Sequence, residues 1–114
     1  MKHEDRLGMR ASVQDGYAVI DWVSYNAAVK PYATATRELP SGRVQTYGAM
    51  HHRVGQIAAD IRQRGVEMGS CVAFLMPNSS DIMDITFATW RLGGVVLALN
   101  FRLTAQELSF ILND

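Results

Sequence analysis

Two unbroken apolar runs with a helix-length segment between them constrain this chain more than any other feature. Cys71-Val72-Ala73-Phe74-Leu75-Met76 is six apolar residues without alternation, and Val95-Val96-Leu97-Ala98-Leu99 is a second such run. A strand that alternates apolar and polar residues has one dry face, whereas a continuous run reads as a strand buried on both faces. Pro77-Asn78-Ser79-Ser80 breaks the first run, Asp81 to Leu92 has helical length, and Gly93-Gly94 ends it. Strand, helix and strand in this compass predict a right-handed βαβ unit with parallel strands.

The remaining segments fit around that unit. A first helix is expected from about Val19 to Ala28, with Ile20, Val23 and Ala27 on one face, Trp22 beside it, and Lys30-Pro31 closing it. Tyr32 to Glu38 and Arg43 to Tyr47 are short extended runs around Leu39-Pro40-Ser41-Gly42, which predicts a hairpin. From Gly48 to Arg64, the residues Met50, Val54, Ile57, Ala58 and Ile61 recur at spacings of three and four, the stripe of an amphipathic helix. His52, Gln56, Asp60 and Gln63 lie opposite, and Gly65 stops the helix. Thr104-Ala105-Gln106-Glu107 is a capping box that starts a last helix running to about Leu112.

The Asp81–Leu92 segment carries apolar residues around most of its circumference, leaving only Asp84 and Arg91 as a narrow charged strip. A helix of that kind is expected to be buried nearly all round. Two short parallel strands offer little to bury it, and their open edges call for cover. The expectation is therefore a piece of a larger α/β fold, or a chain that buries its surplus apolar surface by self-association into a homo-oligomer.

A search for chemistry returns ordinary readings. Gly93-Gly94 follows a helix and precedes a strand, the reverse of a phosphate-binding glycine loop, and reads as a helix stop. Pro77-Asn78-Ser79-Ser80 sits at the end of a strand, where ligands of open α/β sheets gather, but has no glycine or lysine and reads as a turn and N-cap. His51 and His52 are adjacent and diverge by about 100° on a helix, so they cannot chelate together. His3 sits in a polar arm. Cys71 reads as a small core residue. Asp81 and Asp84 suit the positive end of a helix dipole. Arg102 reads as half of a surface ion pair, and Trp22 and Trp90 as core or interface anchors.

Composition bounds the partners. With 114 residues and 11 basic against 11 acidic side chains, the chain has zero formal net charge, which argues against nucleic acid held by bulk electrostatics. One cysteine among the 114 residues excludes a disulfide framework and favours a reducing, cytoplasmic setting. No stretch approaches the roughly 18 apolar residues of a membrane span, and Met1 to Asp15 mixes charges without the apolar block of a secretory signal. Residues 1–15 are expected to form a polar N-terminal arm.

Four passages, in order, resemble the N-terminal end of the adenylate-forming ligases, particularly the AMP-forming fatty-acyl-CoA synthetases. Ala33 to Gly48 resembles the family's opening hairpin and its Thr-Tyr signature before the first long helix. Arg53 to Met76, with Gly65-Val66, Gly69 and Val72-Ala73, resembles the passage from that helix into the next strand. Pro77-Asn78-Ser79, Phe87-Ala88 and Leu92-Gly93-Gly94 resemble the following loop and helix, and Leu99 to Thr104 with Glu107-Leu108 and Ile111-Leu112 resembles the close of the first sheet segment. Ser70 departs from the Asp usual there, and Phe101 from a frequent Pro.

The resemblance implies that residues 16–114 form a partial N-terminal subdomain of a doubly wound α/β fold, with a hairpin, a βαβ unit and about four helices. It implies a parent ligase that uses ATP, Mg and coenzyme A to convert a carboxylic or fatty acid first to an acyl-adenylate and then to an acyl-CoA. The phosphate loop with its lysine, the magnesium acid, the ribose aspartate and the C-terminal lysine of that chemistry have no match in Met1 to Asp114. No catalytic, cofactor-binding or metal residue is therefore assigned, and the chain alone is expected to be inactive. The alternatives are a stand-alone, non-catalytic dimerisation or interaction module and, more weakly, a small nucleotide-binding α/β protein.

Overall fold

The structure, a computed structural model, describes residues 12–14, 17–19 and 21–114. Strands β1 (Ser12–Gln14) and β2 (Tyr17–Val19) pair antiparallel. The rest of the expected polar arm, including His3, lies outside the described residues. Helix α1 spans Trp22–Val29. It begins later than its apolar spacing predicts, because Val19 belongs to β2 and Asp21 caps the helix, its side chain accepting from the Ser24 amide. The Asp21 cap decides the start, and a carboxylate there suits the positive helix end.

Strands β3 (Thr34–Arg37) and β4 (Val44–Thr46) form the expected hairpin, pairing Thr36 with Gln45 and Arg37 with Val44, with an irregularity between Thr34 and Thr36. Thr46 then caps helix α2 (Tyr47–Gln63), its side chain accepting from the Ala49 amide. The stripe on α2 is placed as its period predicts. Met50, Val54 and Ala58 are buried and Ile57 and Ile61 pack against them, joined by Val23 from α1 and by Ala88, Phe87 and Leu92. Gly65 ends this passage at φ +100°, a conformation that L side chains avoid.

Strands β5 (Cys71–Leu75) and β6 (Val95–Leu99) pair in parallel and in register, from Cys71 opposite Val95 to Leu75 opposite Leu99. Helix α3 (Asp81–Arg91) joins them, which gives the strand, helix and parallel strand expected. The architecture is mixed α/β, with four helices and small two-stranded sheets among the described residues. Gly94 makes the α3–β6 turn close, for a Cβ there would stand 2.9 Å from Thr89 Cγ2 and 3.1 Å from the Ser70 carbonyl oxygen. Helix α4 (Ala105–Leu112) starts from the full capping box: Thr104 Oγ1 accepts from the Glu107 amide and the Glu107 carboxylate from the Thr104 amide.

Three expectations about burial are corrected. The strands β5 and β6 are not dry on both faces: Cys71, Ala73 and Leu75 are exposed along β5, while Val72 and Phe74 are half-buried. Among the described residues a layer of helices packs on one side of this two-stranded sheet, and Cys71 is an exposed residue and not a core one. Nor is α3 buried all round. Trp90 is 48% exposed and Met83 is also exposed, whereas Asp84 of the narrow charged strip is fully buried. The strip faces inward, Asp84 towards Arg53 on α2 and Arg91 towards Asp21, the residue that caps α1. Trp22 is likewise exposed, and α4 buries no residue.

Candidate functional site

Two polar clusters hold the helices together, and neither is visible as a motif in sequence. The first joins α1, α2 and α3. Arg91 Nε donates to Asp21 Oδ2 at 2.7 Å, with side chains only 14% and 8% exposed. Arg91 Nη2 donates to Ser24 Oγ at 3.0 Å and lies 3.1 Å from His51 Nδ1. Ser24 returns two bonds to Asp21, from its amide to Oδ1 at 3.0 Å and from its hydroxyl to Oδ2 at 2.9 Å. Burial pushes the Asp21 carboxyl up, but the bonds from Arg91 and Ser24 outweigh it and hold it below the ordinary carboxylate range. Burial and then the Arg91 charge push His51 down. Its Nδ1, receiving the Arg91 N–H, is therefore the unprotonated nitrogen of a neutral ring.

Asp, Ser and His meeting in a cleft invite comparison with a nucleophilic triad, and the bonding excludes it. A triad needs the base to take the serine proton and the carboxylate to orient the base. Here Ser24 Oγ does lie 3.3 Å from His51 Nδ1, but its hydroxyl proton goes to the carboxylate, Arg91 donates to its oxygen and to the same His51 nitrogen, and Ser24 is buried. Arginine donation removes electron density from a would-be nucleophile. The cluster is a staple. Beside it opens a cleft of about 330 Å³, lined among others by Asp21, His51, Gly55, Arg62 and Arg91.

The second cluster ties the β3–β4 hairpin to the start of α3. Glu38 Oε2 accepts from the Ser80 amide and from the Ser80 hydroxyl, both at 3.0 Å, and Oε1 from the Ser41 hydroxyl at 2.7 Å. The Ser80 amide, then the Ser41 and Ser80 hydroxyls, hold its carboxyl down to about 2. Arg43 Nη2 donates to the Ser80 hydroxyl and, at 3.0 Å, to Asp81 Oδ1. Arg53 Nη2 reaches the same Asp81 oxygen at 3.0 Å. Arg53 Nε lies 2.8 Å from the buried Asp84 Oδ2. That is an ion pair by distance, and by bond geometry neither Asp84 oxygen has a well-aimed donor among the described residues. Burial pushes the Asp84 carboxyl up, although Arg53 and Gln45 both act to lower it.

This arrangement answers the question the Pro77–Ser80 loop raises. The loop lies at the carboxyl end of a parallel strand, where an anion would approach a helix N-terminus. Glu38 of the chain itself takes that place. The loop supplies the expected N-cap residue in Ser80, but Ser80 makes no side-chain cap bond and spends its hydroxyl on Glu38 instead. Arg102 lies over the Phe101 ring, 5.5 Å from its centroid, and among the described residues it has no carboxylate partner of the kind expected. Among the described residues, no three His, Cys, Asp or Glu side chains stand where they could hold a metal ion. Sequence reading missed Asp21, Glu38, Arg43 and Arg53. Only Asp84 and Arg91, charged on an otherwise apolar helix, carried a local signal.

Both clusters join separate elements of one α/β framework, α1 to α3 and the β3–β4 hairpin to α3. Residues 23–114 match the profile of the family described as AMP-binding enzyme. The chain is 38% identical over 93 residues to a feruloyl-CoA synthase from Amycolatopsis sp, covering 82% of this chain and 18% of that protein. It is 34% identical over 96 residues to the long-chain-fatty-acid–CoA ligase FadD13 of Mycobacterium tuberculosis, covering 83% of this chain and 19% of that one. Among solved structures, the N-terminal domain of FACL13 from Mycobacterium tuberculosis superposes with a TM-score of 0.75 at 33% identity, over 81% of this chain and 23% of that one. The chain belongs to the AMP-binding enzyme family. It spans less than a fifth of the length of these curated relatives.

Proposed function

We propose that this chain is a scaffold segment of an ATP-dependent carboxylate–CoA ligase and has no ligase activity alone. The observation that carries this reading is the family match over residues 23–114 joined to a coverage of only 18% of a feruloyl-CoA synthase. In the parent reaction, ATP and a carboxylic or fatty acid give an acyl-adenylate and pyrophosphate, and coenzyme A then takes the acyl group. A carboxylate is a poor electrophile, and adenylation supplies its leaving group. Residues 16–114 are the partial N-terminal subdomain that frames this chemistry in the cytoplasm, and no catalytic, ATP-, Mg- or coenzyme A-binding residue is assigned within it. The test is pyrophosphate release with ATP, magnesium and a panel of aromatic and fatty acids. The isolated chain is expected to stay at background, and turnover above it refutes the reading.

A second reading, a non-catalytic dimerisation or interaction module, is favoured by the exposed apolar side chains of β5, β6 and α4. The reading frame beyond Asp114 discriminates the two. Continuation into a Ser/Thr/Gly-rich loop with lysine supports the ligase segment, and a stop codon supports the module.

A further inference from the structure

The cleft between α1, α2 and α3 holds more cationic hydrogen-bonding capacity than the staple beside it uses. Arg91 spends Nε on Asp21 and Nη2 on Ser24 and His51. Its Nη1 has no acceptor among the described residues and lies where a Cβ on Gly55 would meet it at 3.6 Å. Arg62, on the same cleft, pairs with no carboxylate among the described residues, whereas Arg64 takes Asp60. The negative charge in the cleft, Asp21, is neutralised by Arg91. Among the described residues, the uncompensated charge of Arg62 and both N–H groups of Arg91 Nη1 therefore remain.

Gly55 is the independent observation. It sits in the middle of α2, eight residues from either end of a 17-residue helix, where glycine is the poorest former after proline. Its backbone does not require glycine, since it is absent from the positive-φ glycines. A bare Cβ would fit at ordinary contact distance. Anything longer would stand over Arg91 Nη1 and fill the cleft. Ala58 and Ala59, one turn on, keep the same wall low. Glycine at this position weakens the helix and leaves Arg91 Nη1 uncovered from the α2 side.

We propose that this cleft binds a small oxyanion, a carboxylate or phosphate group, between Arg91 Nη1 and Arg62. Planar guanidinium groups bind both classes in paired hydrogen bonds. The site lies on the chain's own helices and does not depend on the ligase reading.

The test follows backbone amides and the Arg91 Nε–H of the full 114-residue chain by nitrogen-15 NMR at constant ionic strength. Inorganic phosphate and butyrate are titrated separately. Saturable shifts centred on Gly55, Ala59, Arg62 and Arg91 are expected for at least one of them, and the one that saturates names the source of the oxyanion. Arg62→Gln should weaken that binding about tenfold, and Gly55→Leu should abolish it while leaving the dispersion of the spectrum intact. Linear shifts with both anions overturn the proposal. So do saturable shifts that survive both substitutions.

Discussion

Replacing Arg91 by methionine should unfold this chain more readily than any loss of apolar contact would explain. Methionine keeps the unbranched stem that packs in α3 and removes only the guanidinium. Breaking a buried ion pair by deleting one partner costs about 3–5 kcal/mol, because the other charge is stranded. Asp21 is not fully stranded here, for the Ser24 amide at 3.0 Å and hydroxyl at 2.9 Å remain. The expected loss is therefore smaller, about 2–3 kcal/mol. At roughly 4–8 °C per kcal/mol for a domain near this size, the midpoint should fall by about 10–20 °C. Thermal and urea unfolding followed by circular dichroism measure it.

The companion variant is Asp21→Asn, which removes the charge and keeps a good N-cap side chain. Combined with Arg91→Met it should restore about 1 kcal/mol or more, since no charge is then left in the part-buried staple. Strict additivity of the two substitutions, or a loss below about 0.5 kcal/mol for Arg91→Met, would falsify the claim that this pair couples α3 to α1.

Asp84 gives a pH signature of opposite sign to Glu38. A carboxyl raised above its ordinary 3.8 stabilises the fold below that pH, and the contribution is lost as pH rises through the folded value. Asp84→Asn should therefore gain on the parent chain by roughly 1 kcal/mol near pH 7 and hardly at all near pH 3; a pH-independent difference in urea midpoint refutes this. Glu38, held at about 2 from 4.5, supports the fold above 4.5 and loses that support as pH falls towards 2. Glu38→Gln should flatten the acid limb of the stability profile, and an unchanged limb counts against the latch. Thr104→Ala should cost α4 about 1 kcal/mol. Because α4 buries nothing, the loss should appear as reduced ellipticity at 222 nm with the global midpoint unmoved. Light scattering at micromolar concentration should find dimers or larger species, given Phe110 at 78% exposure with Trp22 and Trp90 also bared, and a clean monomer opposes that.

The features legible in the sequence are those written within a few residues of each other. The α2 stripe is read from spacings of three and four, and Met50, Val54 and Ala58 are buried as that period requires. The capping box at Thr104 and the stop at Gly65 involve neighbours along the chain, and both form. The parallel pairing of β5 with β6 follows from two apolar runs with a helix between them. The apolar spacing from Val19 ran through the Asp21 cap, and only the local backbone sets where α1 begins.

From Tyr32 onward the sequence by itself determined which segments are helix and strand, because helical and extended periods and caps are short-range properties; the β1–β2 pair, Ser12–Gln14 with Tyr17–Val19, carried no such signal. Tertiary structure alone decided which way α3 turns. Its apolar circumference suggested burial everywhere, yet its charged strip lies inside, since Arg53 and Asp21 come to meet Asp84 and Arg91 from far along the chain. A charge is buried only where an opposite charge waits for it, and no local pattern reports that a partner seventy residues away will be there.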